Sequence, residues 1–193
     1  MFYEQTELFS KSEVADAFLG KEQKKPTTDQ QKYYIQSGNY KGWLPSLLFW
    51  LDLGGFMKVY LDNQRHTSGD EKNKNGFQSY LEGMVVGLRK RQAVHLCSVP
   101  GCKRHVTRFL ASDGYNCFNF SKKMICDNYL CEKNIMPIPS KRLIYFSIPE
   151  LVQFGCKKKD MDKILEIFKT AYDVSDKDIN ETWAHQFFFG KPI

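Results

Sequence analysis

Apolar residues recur every three or four positions in five stretches of this chain, and each recurrence predicts an amphipathic helix. Over residues 4–19 the face is Leu8, Val14, Ala15, Phe18 and Leu19, with Gly20 placed to end it. Residues 20–32 are polar, hold a proline and read as a linker. From Lys41 to Asp62 the chain is at its most apolar, and Leu44, Leu47, Leu48, Leu51, Gly55 and Val59 share one helix face. Pro45 suits a first turn. Gly54 and Gly55 weaken a helix interior by about 1 kcal/mol each relative to alanine, which predicts close packing or a break there. Residues 63–76 read as a loop. Phe77, Leu81, Met84, Val85 and Leu88 then predict a second strongly amphipathic helix.

Between His95 and Cys131 turns dominate, and no long element is expected. Arg142–Ile148 is a β-branched and aromatic run that predicts a short strand, with a helical turn starting at Ser147–Pro149. Met161, Ile164, Leu165, Phe168 and Tyr172 mark another helix face. Ser175 reads as the N-cap of the last helix, with Asp178 at its third position and Val174 and Ile179 as a hydrophobic staple. That helix carries Ile179, Trp183 and Phe187, and its closing FFFGKPI aromatics either complete the core or dock a protein partner; the core is the expected use.

This pattern predicts a mainly α fold with a small zinc-stabilised, irregular or β-containing module, α+β overall. Three regions follow: helical residues 1–92, a cysteine-rich module over 93–136, and a mostly helical 137–193. At 193 residues, with 42% hydrophobic and 15% aromatic content, the chain can bury a modest core. A mean hydropathy of −0.48, no apolar run near the twenty residues of a membrane span, and no basic-then-apolar leader predict a protein held in a reducing intracellular compartment.

The reducing compartment changes how the cysteines read. Five of the six lie between His95 and Cys131, and two matched pairs, Cys97/Cys102 and Cys126/Cys131, each enclose four residues. Paired thiolates on two tight turns are what a tetrahedral zinc site needs; the plainer alternative is a set of buried thiols. Cys117, His95 and His105 remain possible replacements for one ligand. The net charge of +6 matters through its placement: no acid lies between Glu82 and Asp113, while Arg89, Lys90, Arg91, Lys103, Arg104 and Arg108 all do. Such a block points to an acidic partner, nucleic acid above all, against the plainer reading of a solvated charged face.

The run from DQQKYYIQSGNYKGWLPSLLFWLDLGGFMKVYL through GFQSYLEGMVVGLRKRQ to the cysteine cluster resembles the C-terminal part of piggyBac-type DNA transposases and their domesticated relatives. The resemblance places Trp43 and Asp52 where the family has a tryptophan and the third catalytic aspartate. It implies a ribonuclease-H-like core end followed by a zinc domain that binds transposon-end DNA. The family's motif continues to an asparagine where this chain has Gly54, Gly55 and Phe56. Its zinc domain has a middle knuckle that is reduced here to Cys117, so its cross-brace arrangement would leave Cys97, Cys102, Cys126 and Cys131 as the surviving site. The other catalytic aspartates have no counterpart, and two-metal chemistry needs several convergent carboxylates. Asp52 is then a vestigial metal-binding acid at most, or a partnered acid in an apolar run.

The expected function is non-catalytic, zinc-dependent binding of duplex DNA, in the nucleus. The alternatives are a zinc-stabilised protein-interaction or scaffold subunit, and a single-strand nucleic-acid binder with a zinc ribbon, against which weak strand content argues. A hydrolase is least expected: His66, His95, His105 and His185 form no constellation with a nucleophile, and Cys156, beside Lys157, Lys158 and Lys159, has no identifiable base.

Overall fold

Pro45 cannot donate a backbone hydrogen bond, and it sits in the first turn of α1 (Pro45–Leu51), where no partner is required. The helix stops at Asp52, whose non-helical backbone (φ −148°, ψ 83°) ends the ladder, and α2 (Leu53–His66) begins at once. The break therefore falls at the acid, and the glycine pair shows the other expected outcome, close packing: a Cβ on Gly55 would overlap the Tyr40 hydroxyl. The cause of the break is capping: the Asp52 carboxylate accepts the Gly55 N–H at 2.8 Å, and its carbonyl accepts the Phe56 N–H at 2.9 Å. The computed structural model describes residues 31–66, 76–114, 117–135, 141–152 and 158–191. The expected helix over 4–19 and nearly all of the linker lie outside them, as do residues 67–75 of the loop.

The remaining elements are α3 (Gly76–Lys90), β1 (Arg108–Gly114), β2 (Cys117–Ile125), α4 (Tyr129–Ile135), β3 (Lys141–Tyr145), α5 (Ile148–Leu151), α6 (Lys158–Tyr172) and α7 (Glu181–Phe189). The fold is α+β: helices around a three-stranded antiparallel sheet in the order β2-β1-β3. The expectation of no long element near the cysteines is corrected by the β1–β2 hairpin, which pairs Arg108 with Ile125 and Gly114 with Cys117. Its signal was present as the apolar run Phe109–Leu110–Ala111 and as period-two alternation of Phe118 and Phe120 around Asn119. With a sheet in place, weak strand content no longer argues against a single-strand binder.

The sheet separates two apolar clusters. Phe109, Ala111, Met124 and Ile144 share one face and join the main core, whereas Ile125 and Leu143 on the opposite face pack with Cys97, Cys126 and Cys131. Phe49 centres the main core, meeting Phe56, Phe168 and Phe188 edge-on at ring distances of 5.2, 5.6 and 5.3 Å. This ties α1 to α2, α6 and α7. All five residues of the expected 161–172 face are buried. Phe187 and Phe188 are buried too, and Phe189 packs on Tyr80 and His185, so the C-terminal aromatics complete the chain's own core. That core draws on residues from all three sequence regions, and Lys32–Ile193 forms one compact unit.

The last helix starts later than expected. Ser175 forms a turn, accepting the Asp178 N–H at its carbonyl (3.0 Å), and Asn180 caps α7 by accepting the Trp183 N–H at 2.9 Å. Both residues are good caps, but only from Asn180 does the helix bury Ala184, Phe187 and Phe188. Glycine decides how α7 meets α3: a Cβ on Gly87 would overlap the Phe188 carbonyl oxygen and lie 2.9 Å from its carbonyl carbon. No helix among the described residues is long and apolar enough to cross a membrane.

Candidate metal centre

Two turns present the cysteines. In the first, Cys97 donates its N–H to the Arg104 carbonyl at 2.8 Å, and Cys102 donates to the Val99 carbonyl at 3.0 Å. Gly101 makes this turn at φ +80°, in the left-handed region that a side chain disfavours. In the second, Cys126 follows β2 and Asn128 caps α4, its side chain accepting the Leu130 N–H at 2.8 Å. The cap sets Cys131 in the first turn of the helix, facing back toward the first pair. The backbone fastens the first turn to the sheet, the Ser98 N–H donating to the Met124 carbonyl and the Thr107 N–H, just after the turn, to the Ile125 carbonyl, each at 2.9 Å, while the second turn runs on directly from β2.

The sulfurs of Cys97, Cys102, Cys126 and Cys131 all lie within 4.8 Å of one another. Those of Cys102 and Cys126 are 3.8 Å apart, far beyond the roughly 2.05 Å of a disulfide, and all four thiols are free. Thiolates about 2.3 Å from a central zinc would stand about 3.8 Å apart at the corners of a tetrahedron. The donor set fits, and these four cysteines could hold a metal ion. Burial pushes the Cys131 thiol up to about 12, with the crowding sulfurs adding to the rise, and raises Cys126 as well. A backbone hydrogen bond from Arg104 lowers Cys102. Four negative sulfurs cannot share so small a volume without a cation, so metal binding here would displace thiol protons.

His95 and His105 are exposed and stand outside this group. Cys117 opens β2, but its side chain, like that of His66 and all of Cys156, lies outside the described residues. His185 is buried against Tyr80, its Nδ1 2.9 Å from the phenol oxygen, which is itself 2.9 Å from Ser46 Oγ. Asp52 is engaged by the Gly55 N–H and by the Tyr40 hydroxyl, which donates to it. Among the described residues, the four cysteines are the one group spaced to hold a metal.

The basic residues divide. Arg89, Lys90 and Arg91 are exposed at the end of α3, and Lys103 and Arg104 are exposed on the first turn. Arg108 is not part of that surface: it is only 6% exposed, pairs with Glu132 at 3.1 Å and donates to the Cys126 carbonyl at 2.9 Å. Its guanidinium also lies 5.3 Å from the ring centre of Tyr145. Position in an acid-free segment says nothing of burial, and the pleat of β1 turns this arginine under α4. Sequence reading missed Glu132 and Asn128, which hold Arg108 and Cys131 in place. An acid directly after Cys131 and a capping residue three before it were the available signals. No family model matches the chain, and neither a curated protein nor a solved structure matches it.

Proposed function

We propose that this chain is a non-catalytic nucleic-acid-binding protein in which one zinc ion, held by Cys97, Cys102, Cys126 and Cys131, organises a basic surface for duplex DNA. Kinship with the C-terminal region of piggyBac-type transposases and residence in the nucleus belong to the same reading. The observation that supports it most is the four-sulfur group at tetrahedral spacing. Soft thiolates suit zinc, and an all-cysteine set leaves no open position for water or substrate, so such sites serve structure and not hydrolysis. When bound, zinc supplies folding energy, about 10–16 kcal/mol in small zinc-dependent peptides, comparable with the whole stability of an ordinary domain. The second support is the exposed set Arg89, Lys90, Arg91, Lys103 and Arg104 on the segments that lead into and form the first cysteine turn.

Protein purified without added metal is expected to carry one zinc per chain and to lose the β1–β2–α4 region to a strong chelator. Absence of metal, with melting indifferent to chelator, overturns the zinc assignment. Neutralising about five phosphates gives a slope of log affinity against log salt near −4 to −5 on duplex DNA. No binding at low salt below about 10⁻⁴ M excludes nucleic acid. A zinc-stabilised protein-interaction subunit would then lead, drawing on Tyr129 and Leu130, which stand exposed on α4 beside the cysteines.

A further inference from the structure

Between the end of α3 and the cysteine module lies a groove of about 360 Å³, lined among others by Arg89, Arg91, Thr107, Asp127, Tyr145 and Glu150. Its size is at the lower end of small-ligand sites. Its lining is chemically divided. Arg89 and Arg91 offer guanidinium donors suited to a phosphate. Tyr145 remains 45% exposed, while the Arg108 guanidinium, 5.3 Å from its ring centre, braces it. Arg108 is in turn fixed by Glu132 and the Cys126 carbonyl, so the ring is held by the same turn that carries the cysteines. The Thr107 hydroxyl oxygen is buried on this wall with no hydrogen-bond partner.

The size and lining of the groove decide what can enter. A space of about 360 Å³ is too small for a duplex, and the Asp127 carboxylate on its wall disfavours a continuous run of phosphates. The face of a base is covered by its stacked neighbours inside a duplex and free on an unpaired base, where it can stack on an aromatic ring. We propose that this groove is a site for one unpaired nucleotide, as at an overhang or a strand end, with its phosphate at Arg89 and Arg91 and its base against Tyr145. The site rests on the nucleic-acid reading above and adds to it a preference for DNA with a single-stranded feature beside the duplex.

Fluorescence anisotropy on the full chain, with a blunt duplex and the same duplex bearing a short single-stranded overhang, tests this. The overhang probe is expected to bind about tenfold more tightly, the advantage of one stacked base. Tyr145→Leu should remove that advantage and Tyr145→Phe, which keeps the ring, should retain it, with melting curves verifying that both variants fold. Equal affinity for the two probes, or an overhang preference that survives Tyr145→Leu, overturns the groove assignment and leaves the basic-surface reading standing. Failure of both probes to bind at low salt removes the groove and the basic-surface reading together.

Discussion

Replacing Asp52 separates the two roles open to it, a helix cap and a metal-binding acid. As a cap, its carboxylate accepts the Gly55 N–H at 2.8 Å and receives a hydrogen bond from the Tyr40 hydroxyl. Asp52→Ala removes the cap, worth about 1 kcal/mol. It also leaves the part-buried phenol of Tyr40 without that acceptor, at a further cost of about 1 kcal/mol. The sum of about 2 kcal/mol corresponds to a fall in Tm of roughly 4–8 °C for a domain of this size. Asp52→Asn should cost less than about 0.5 kcal/mol, because asparagine caps nearly as well as aspartate and its amide can donate to the phenol oxygen. Urea or thermal melts of the three proteins give the comparison. An Asn variant as damaged as the Ala variant would show that the charge itself is needed, and an Ala variant as stable as the parent would refute the cap. In the same preparations, magnesium or manganese should support no DNA cleavage, since one acid cannot assemble a two-metal site.

Gly87→Ala should destabilise by about 1–2 kcal/mol in urea melts: overpacking against the Phe188 carbonyl costs about 1–3 kcal/mol, and better helix propensity returns up to about 1. Arg108→Ala should cost about 1–2 kcal/mol, discounted for the partial exposure of Glu132, and leave the salt slope of DNA binding unchanged, whereas Arg104→Ala should flatten it by about one unit. Burial, helped by Lys191, lowers the His185 pKa below its ordinary value, so the unfolded chain binds the proton more readily. Stability from this group is therefore complete above about pH 6.5 and lost as pH falls below it. Burial raises Glu181 and so contributes with the opposite sign, and the difference between parent and His185→Gln melts across pH 5–8 isolates the histidine. A difference that stays constant over that range would refute its buried, neutral role.

The helices could be read from the chain because a buried stripe at 3.6-residue spacing is a one-dimensional signal. Met161, Ile164, Leu165, Phe168 and Tyr172 fall in the core as the spacing requires. The cysteine pairs were legible for a similar reason, since two thiols on one tight turn must appear as neighbours in sequence. Contacts between distant segments leave no such trace. The seating of α7 on Gly87, the pairing of β3 with β1 and the clasp of Glu132 on Arg108 are set by separations of 101, 33 and 24 residues, for which no periodicity exists. The hairpin was obscured locally, because the turn signals of the cysteine region outweighed the shorter alternation of Phe118 and Phe120.

The polar residues that stood out in the sequence had different fates, and the difference has a physical cause. Asp52 and Arg108 attracted functional readings because a charge is unexpected in an apolar run and suggestive in a basic one. Both find partners within this chain: a backbone N–H and a phenol for the first, and for the second a glutamate at one terminal guanidinium nitrogen and a carbonyl at the other, its buried Nε alone being left without one. A buried charge with such partners needs no ligand to account for it. The four cysteines differ: they are free thiols from two separate turns, gathered within 4.8 Å of one another at the spacing that a tetrahedral metal site requires. That convergence is why these four cysteines, and neither Asp52 nor Arg108, anchor the functional reading.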